Sequence, residues 1–207
     1  MTAAYDYLFL TLARGRAPHQ ALAEQLRDTA TPRLAGLGGE IVGQFAPQLG
    51  WANDEAAVLV RWPAAEPQGG AAAALASPVI ISARATRLAA TVRPADQDRP
   101  APGGIYVHRW FEVEAALADE FVGLSSEGWK GFEAQFDARI FGLFRAAPDE
   151  RDRTQGVARL LLITRYGDHG VWEASRDPTT EAMQIFARRQ QLTRRTWAAS
   201  TRLVTAP

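Results

Sequence analysis

The chain repeats itself, and the repeat limits the folds open to it. "GEIVGQF" at 39–45 matches "ARIFGLF" at 138–144, with Ile41, Gly43 and Phe45 answered by Ile140, Gly142 and Phe144. "VLVRW" at 58–62 matches "LITRY" at 162–166, with Arg61 answered by Arg165 and an aromatic residue after each. The offsets are 99 and 104 residues. Two matches in the same order at nearly one offset point to a tandem duplication. Between the copies runs "RPADQDRPAPGG" at 93–104, polar, with three prolines and two glycines and no apolar period. It reads as a linker. The expected layout is a first half over 1–93, a linker over 94–104 and a second half over 105–207.

Both halves read in the same order. In the second, "IYVHRWFEV" is a β-branched and aromatic run of strand type. Leu117, Phe121, Leu124, Gly128, Phe132 and Phe136 then recur at helical spacing along one face. "RIFGLFRA" reads as a strand, "APDERDRTQG" as a charged hairpin loop, and "VARLLLITRY" as a strand central in its sheet. A helix over "TTEAMQIFARRQQLTRR" and a strand over "TWAASTRLV" complete the half. The first half opens with a strand in "MTAAYDYLFLTLARGR" and has a shorter second helix near 70–82, broken by Pro78. The order β-α-β-β-α-β is the split-βαβ, ferredoxin-like arrangement of an α+β fold. Its sheet carries both helices on one face, so the other face must be buried against something. Two such units in one chain can put bare sheet against bare sheet and close a barrel with the helices outside.

Composition narrows the function classes. Lys plus Arg and Asp plus Glu are 23 each, so no basic surface is set aside for phosphates and a nucleic-acid partner is not expected. The absence of cysteine removes disulfides, thiolate nucleophiles, iron–sulfur clusters and Cys-based zinc sites. No apolar run is long enough to span a bilayer, and Asp6 interrupts the opening one, so a cytoplasmic location is the expectation. Lys130 is the only lysine, so nearly all the positive charge is arginine, which grips carboxylates and phosphates bidentately. A GC-rich genome, which favours Arg and Ala codons, is the plainer account of that bias.

"YVHRWF" at 106–111 resembles the Tyr-Glu-Leu-Arg-x-Tyr opening of NIPSNAP-type domains, and "VWEASR" before an Arg-rich helix is similar to their C-terminal part. The resemblance covers roughly residues 104–207; the first half looks like a diverged copy. Tyr106 and Arg109 stand where the family has its Tyr and Arg, and Phe111 replaces the second aromatic. Val107 stands in place of the family's Glu and His108 in place of its Leu. The resemblance implies an intramolecular dimeric α+β barrel built from tandem ferredoxin-like repeats. That superfamily includes cofactor-free and haem-degrading monooxygenases, decarboxylating and cyclising enzymes and ligand-binding regulators. It also implies a pocket between the sheet and its own helices. For NIPSNAP-type proteins themselves, vesicle-related and scaffolding roles have been proposed.

Candidate residues cluster in "RYGDHGVWEASRDP" at 165–178. Much of this is turn chemistry: Asp168 can cap a short helix, and Asp177-Pro178 can start the next. Trp172 and Arg176, four apart, share a face and could hold a planar or anionic ligand, or simply pack as a core Trp under an Arg. On the strand at 105–113, Val107, Arg109 and Phe111 point one way and Tyr106, His108 and Trp110 the other. A buried Arg109 needs a partner: Glu173, Glu181 or a bound anion. His108 is the candidate general base, or else a satisfied interior histidine. His19 and His169 have no ligand neighbours at metal spacing, and no histidine is placed as an axial haem ligand, so neither metal nor cofactor is expected. Arg188, Arg189, Arg194 and Arg195 read as a solvated face of the last helix. No phosphate loop, Ser-His-Asp set or paired-carboxylate spacing is present.

The reading is a protein that binds a small apolar or aromatic molecule, with or without an acid group, between sheet and helices through Tyr106, Arg109, Trp172 and Arg176. Whether it is an enzyme stays open, with His108 serving any cofactor-free catalysis. Homo-oligomer formation also stays open. The alternative is a non-catalytic protein-interaction or scaffolding module, in which the same aromatics are core.

Overall fold

A computed structural model describes residues 3–63 and 70–204; residues 1–2 and 64–69 of the expected first half and 205–207 of the second lie outside the described residues. Strand β1 (Ala4–Leu12) leads into helices α1 (Pro18–Gln25) and α2 (Thr31–Gly36), joined by a π turn. Strands β2 (Glu40–Leu49) and β3 (Glu55–Trp62) follow, then α3 (Gly70–Leu75) and β4 (Ile80–Ala90). The second set runs β5 (Ile105–Glu114), α4 (Ala118–Gln135), β6 (Ala138–Ala146), α5 (Glu150–Gln155), β7 (Val157–Tyr166), α6 (His169–Ala174), α7 (Glu181–Gln191) and β8 (Thr193–Leu203).

Every strand pairing is antiparallel, and the eight strands close a barrel in the order β1-β3-β2-β8-β5-β7-β6-β4. Each set of four thus has the ferredoxin-like order 4-1-3-2, and the β2–β8 and β4–β6 ladders join the two. The fold is a tandem ferredoxin-like α+β barrel. Three apolar clusters follow from it. Tyr5, Phe45, Leu59, Phe144 and Ile163 meet inside the barrel. Leu8, Leu10, Leu22, Leu26 and Leu34 pack under the first set of helices. Phe111, Phe121, Trp129, Phe132 and Leu162 pack under the second.

The repeated sequence motifs occupy the same structural positions. The ladder slips between Ile41 and Gly43 in β2–β3, and between Ile140 and Gly142 in β6–β7. At each bulge the aromatic two residues on folds back over the glycine. A Cβ on Gly43 would lie 3.2 Å from the Phe45 ring, and one on Gly142 2.8 Å from the Phe144 ring. Arg61 pairs with Glu40 at 2.6 Å, and Arg165 with Asp137 at 2.9 Å.

Three expected elements differ. The second helix of the first set stops at Leu75, and residues 80–82 already belong to β4, because Pro78 cannot supply the amide hydrogen that helix would need. The charged connection at 147–156 contains α5, which has a capping box between Asp149 and Asp152 and the left-handed Gly156 at its end. Helix α7 ends at Gln191, so Arg194 and Arg195 lie on β8. Among the described residues no helix is long and apolar enough to cross a membrane.

Gly142 offers a direct test of the packing inside the barrel. A Cβ there would also lie 2.6 Å from Pro94 Cδ, with no flexible side-chain end to give way. Gly142→Ala should cost about 1–3 kcal/mol in urea unfolding. Gly131→Ala, on the exposed side of α4 with nothing within 4 Å of the new Cβ, should be neutral or stabilising by up to about 1 kcal/mol.

Candidate functional site

Strand β5 has a polar group on each face, and the fold sends them to different places. Tyr106, His108 and Trp110 project into the barrel, while Val107, Arg109 and Phe111 project toward α4 and α7. Of the four residues expected to contact ligand together, Arg109, Trp172 and Arg176 therefore share the helix side. Tyr106 sits on the other face, its hydroxyl donating to the Ala101 carbonyl at 2.5 Å.

The helix side holds an accumulation of positive charge. Arg189 of α7 is buried, at 8% exposure. Its guanidinium lies over the rings of Phe186 (4.5 Å), Phe111 (5.0 Å) and Phe121 (5.4 Å). Among the described residues its guanidinium has one hydrogen bond, a long contact of 3.5 Å from Nη1 to Ser125 Oγ, and its Nε is buried without a partner. Burial first, and then the charge of Arg109, pull Arg189 down to about 10. It therefore stays protonated at neutral pH. Arg109 is shifted down as well, by burial and then by Arg176. Tyr166, at the end of β7 beside these arginines, is pushed up by burial, so it is a neutral phenol. Among the described residues no carboxylate pairs with Arg109 or Arg189. Glu173 and Glu181, the partners expected for Arg109, are exposed.

The segment before α7 forms the outer edge of this cluster. Asp168 caps α6, accepting from the Val171 amide at 2.8 Å. Trp172 packs on the second helix-side cluster, and Arg176 lies over its ring at 5.2 Å. Helix α7 starts at Glu181 with Thr180 as its cap, later than the expected Asp177-Pro178 start; Asp177 instead accepts from Thr179. The reading of Arg189 as solvated is corrected by its burial. Ala182, Phe186 and Arg189 stand at i, i+4 and i+7, so all three fall on the inner stripe of α7.

On the opposite face His108 is 1% exposed. Its Nδ1 is hydrogen-bonded to the Tyr7 hydroxyl at 2.9 Å, and its Nε2 is buried without a partner. Burial lowers its pKa to about 3, which leaves it a weak base at neutral pH. His19 bonds the Asn53 carbonyl and His169 the Ser200 hydroxyl. The described residues hold no group of three side chains able to bind a metal.

No family model and no curated protein matches the chain. Solved structures do. An anthrone oxidase-like protein superposes with a TM-score of 0.67 at 12% identity, covering 99% of this chain and 92% of its own. A chlorite dismutase mutant from Candidatus Nitrospira defluvii gives 0.61 at 8% identity, covering 96% and 90%. A candidate monooxygenase from Lactobacillus acidophilus NCFM gives 0.59 at 10% identity, covering 97% and 93%. The likeness is one of fold. What these structures share with the chain is the ferredoxin-like α+β barrel architecture.

Two stability measurements check this electrostatic picture. Arg189→Met keeps the side chain's bulk and its sulfur–aromatic contacts and removes an uncompensated charge. The ligand-free variant should be more stable than the parent by about 1–4 kcal/mol; a loss of stability would show that the charge is already compensated. For His108 the folded pKa lies below that of the unfolded chain. Its neutral form therefore contributes full stability above about pH 6.5 and loses it as pH falls toward the folded value. At about pH 4.5 the loss is roughly 2–3 kcal/mol. His108→Gln should flatten the fall in urea stability between about pH 7.5 and about pH 4.5 by that amount.

Proposed function

We propose that the protein binds a small aromatic or apolar carboxylic acid between the second sheet and its helices. Arg109 and Arg189 would take the acid group, and Trp172 with Arg176 would cover the apolar body. The observation that carries this reading is a buried Arg189 beside a half-buried Arg109, with no carboxylate paired to either among the described residues. An unpaired buried ion costs several kcal/mol, and contacts with three aromatic rings offset only part of that. An anionic ligand supplies what is missing, and the surrounding Phe111, Phe121 and Phe186 suit an apolar remainder. The first half lacks the device: the β1–β3 and β5–β7 registers make Tyr5 equivalent to Tyr106, and so put Leu8 where the second half has Arg109.

This reading favours binding over catalysis at the same site. Tyr166 stays protonated, the arginines stay charged, and His108 lies on the far side of the strand. The resemblance of residues 104–207 to NIPSNAP-type domains fits the same proposal. So does a division into halves 1–93 and 105–207 about a 94–104 linker, with the second half as the one that kept the site. The neighbouring structures carry names from small-molecule chemistry, which accords with a ligand of that kind.

Thermal shift with 2-naphthoate, against its neutral carboxamide, tests the reading. At a hundredfold over its dissociation constant the acid should add about 2.7 kcal/mol of stability, and the amide little. Arg109→Gln or Arg189→Met should weaken the acid about tenfold or more, because each removes a charged hydrogen bond. Equal responses to acid and amide, or an undiminished response in both variants, would overturn the acid site and return the chain to the interaction-module reading.

A further inference from the structure

The barrel itself has an open mouth that the acid site does not use. A cavity of about 930 Å³ opens at the end where β1 and β5 finish, and His108 lies among its lining residues. The β1–β3 and β5–β7 registers that pair Tyr5 with Arg61 and Tyr106 with Arg165 make Tyr7 equivalent to His108 and Phe9 to Trp110. The 2.9 Å bond between Tyr7 and His108 therefore joins matching positions of the two halves across the barrel. Above it the walls are aromatic. Trp51 meets His108 edge-on at 5.4 Å and Phe9 at 5.1 Å, and Trp197 stacks on Trp110 at 6.3 Å with planes 12° apart.

The polar groups of this cavity are unequally satisfied. Tyr7 is buried, and His108 is the acceptor available to its hydroxyl, so the phenol donates to Nδ1 and the proton of the neutral imidazole sits on Nε2. That N–H is the buried donor without a partner. At the rim Arg151 is paired with Glu112, and Arg159 with Asp149 and Asp152. Arg84 and Arg195 instead lie over the Phe9 and Trp197 rings, at 5.4 and 5.2 Å, with no carboxylate partner among the described residues.

We propose that the barrel mouth is a second ligand site, for a planar aromatic compound with a carbonyl oxygen at its entering edge and an anionic group at its outer edge. The carbonyl accepts from His108 Nε2–H, the rings lie among Trp51, Trp110 and Trp197, and the anion meets Arg84 and Arg195. Its volume falls in the range of small-molecule pockets, large enough for a two- or three-ring ligand. The hydrogen bond relieves a donor that the fold leaves unpaired, which gives the carbonyl compound its preference over an analogue without the oxygen. Nothing in this site depends on Arg109 or Arg189.

The probe is 9-fluorenone-4-carboxylate, compared by tryptophan fluorescence titration with fluorene-4-carboxylate, which lacks the carbonyl, and with 9-fluorenone, which lacks the acid. The parent should bind the keto acid about tenfold more tightly than either analogue. His108→Phe should erase the preference over fluorene-4-carboxylate, and Arg84→Ala/Arg195→Ala the preference over 9-fluorenone. Arg109→Gln should change neither; if it abolishes binding, the keto acid is in the sheet–helix site and the proposal fails while that site stands. Equal affinity of the parent for the two acids also overturns it. Should His108→Phe not fold, the imidazole nitrogen resonances of the parent decide. The His108 Nε2–H signal must move on addition of the keto acid and stay in place with fluorene-4-carboxylate.

Discussion

The structure depends on closing two half-covered sheets onto each other. Each four-stranded unit has its helices on one face, and neither could remain in water with Tyr5, Phe45 and Leu59 of one sheet, or Tyr106, Phe144 and Ile163 of the other, exposed. The β2–β8 and β4–β6 ladders solve this without leaving an open sheet edge among the eight strands. A single chain thereby does what two copies of one unit would otherwise do. The connection between β4 and β5 replaces the concentration dependence of a dimer by a permanent link.

Joining the halves covalently frees them to diverge. In a symmetric dimer a substitution on β5 would appear twice; here β1 and β5 carry different residues at equivalent positions. On the helix side Leu8 packs among Leu22, Leu26 and Leu34, whereas Arg109 enters a layer that also contains Arg189. Inside the barrel Tyr7 faces His108, a donor against an acceptor, a pairing that two identical residues would not reproduce as well. On the helix side one half supplies an apolar support and the other holds the arginines.

Much of the layout was legible from residues alone because it rests on local periodicity. The glycine two residues before a phenylalanine in both "GEIVGQF" and "ARIFGLF" was legible as a repeat; that it sits at a bulge, where each aromatic needs the space a side chain would fill, came only with the structure. Alternation sorted β5 correctly into two faces, but alternation has no sign, and which face met the helices came only with the tertiary structure. The arginines of the last helix were the clearest failure. Extending α7 through Arg195 gave it an exposed charged face; with the helix ending at Gln191, Arg189 turns inward with Ala182 and Phe186. The Tyr7–His108 bond, between residues 101 apart, had no local signature at all.

Strand β5 separates the two polar devices by a single residue. It is hydrogen-bonded on both sides, to β7 over ten residues and to β8 along most of its length, so its register cannot slip. A slip of one residue would send Arg109 into the aromatic barrel and His108 against the helices, burying the charge where no anion could reach it. A rigid strand therefore keeps neighbouring residues in environments of opposite demand: an arginine pair that lacks an anion, and a neutral imidazole that lacks an acceptor. The two deficits call for different chemical groups, and the pleat of the strand points them in opposite directions. An acid bound outside and a carbonyl bound inside would each satisfy one face of β5 without contacting the other.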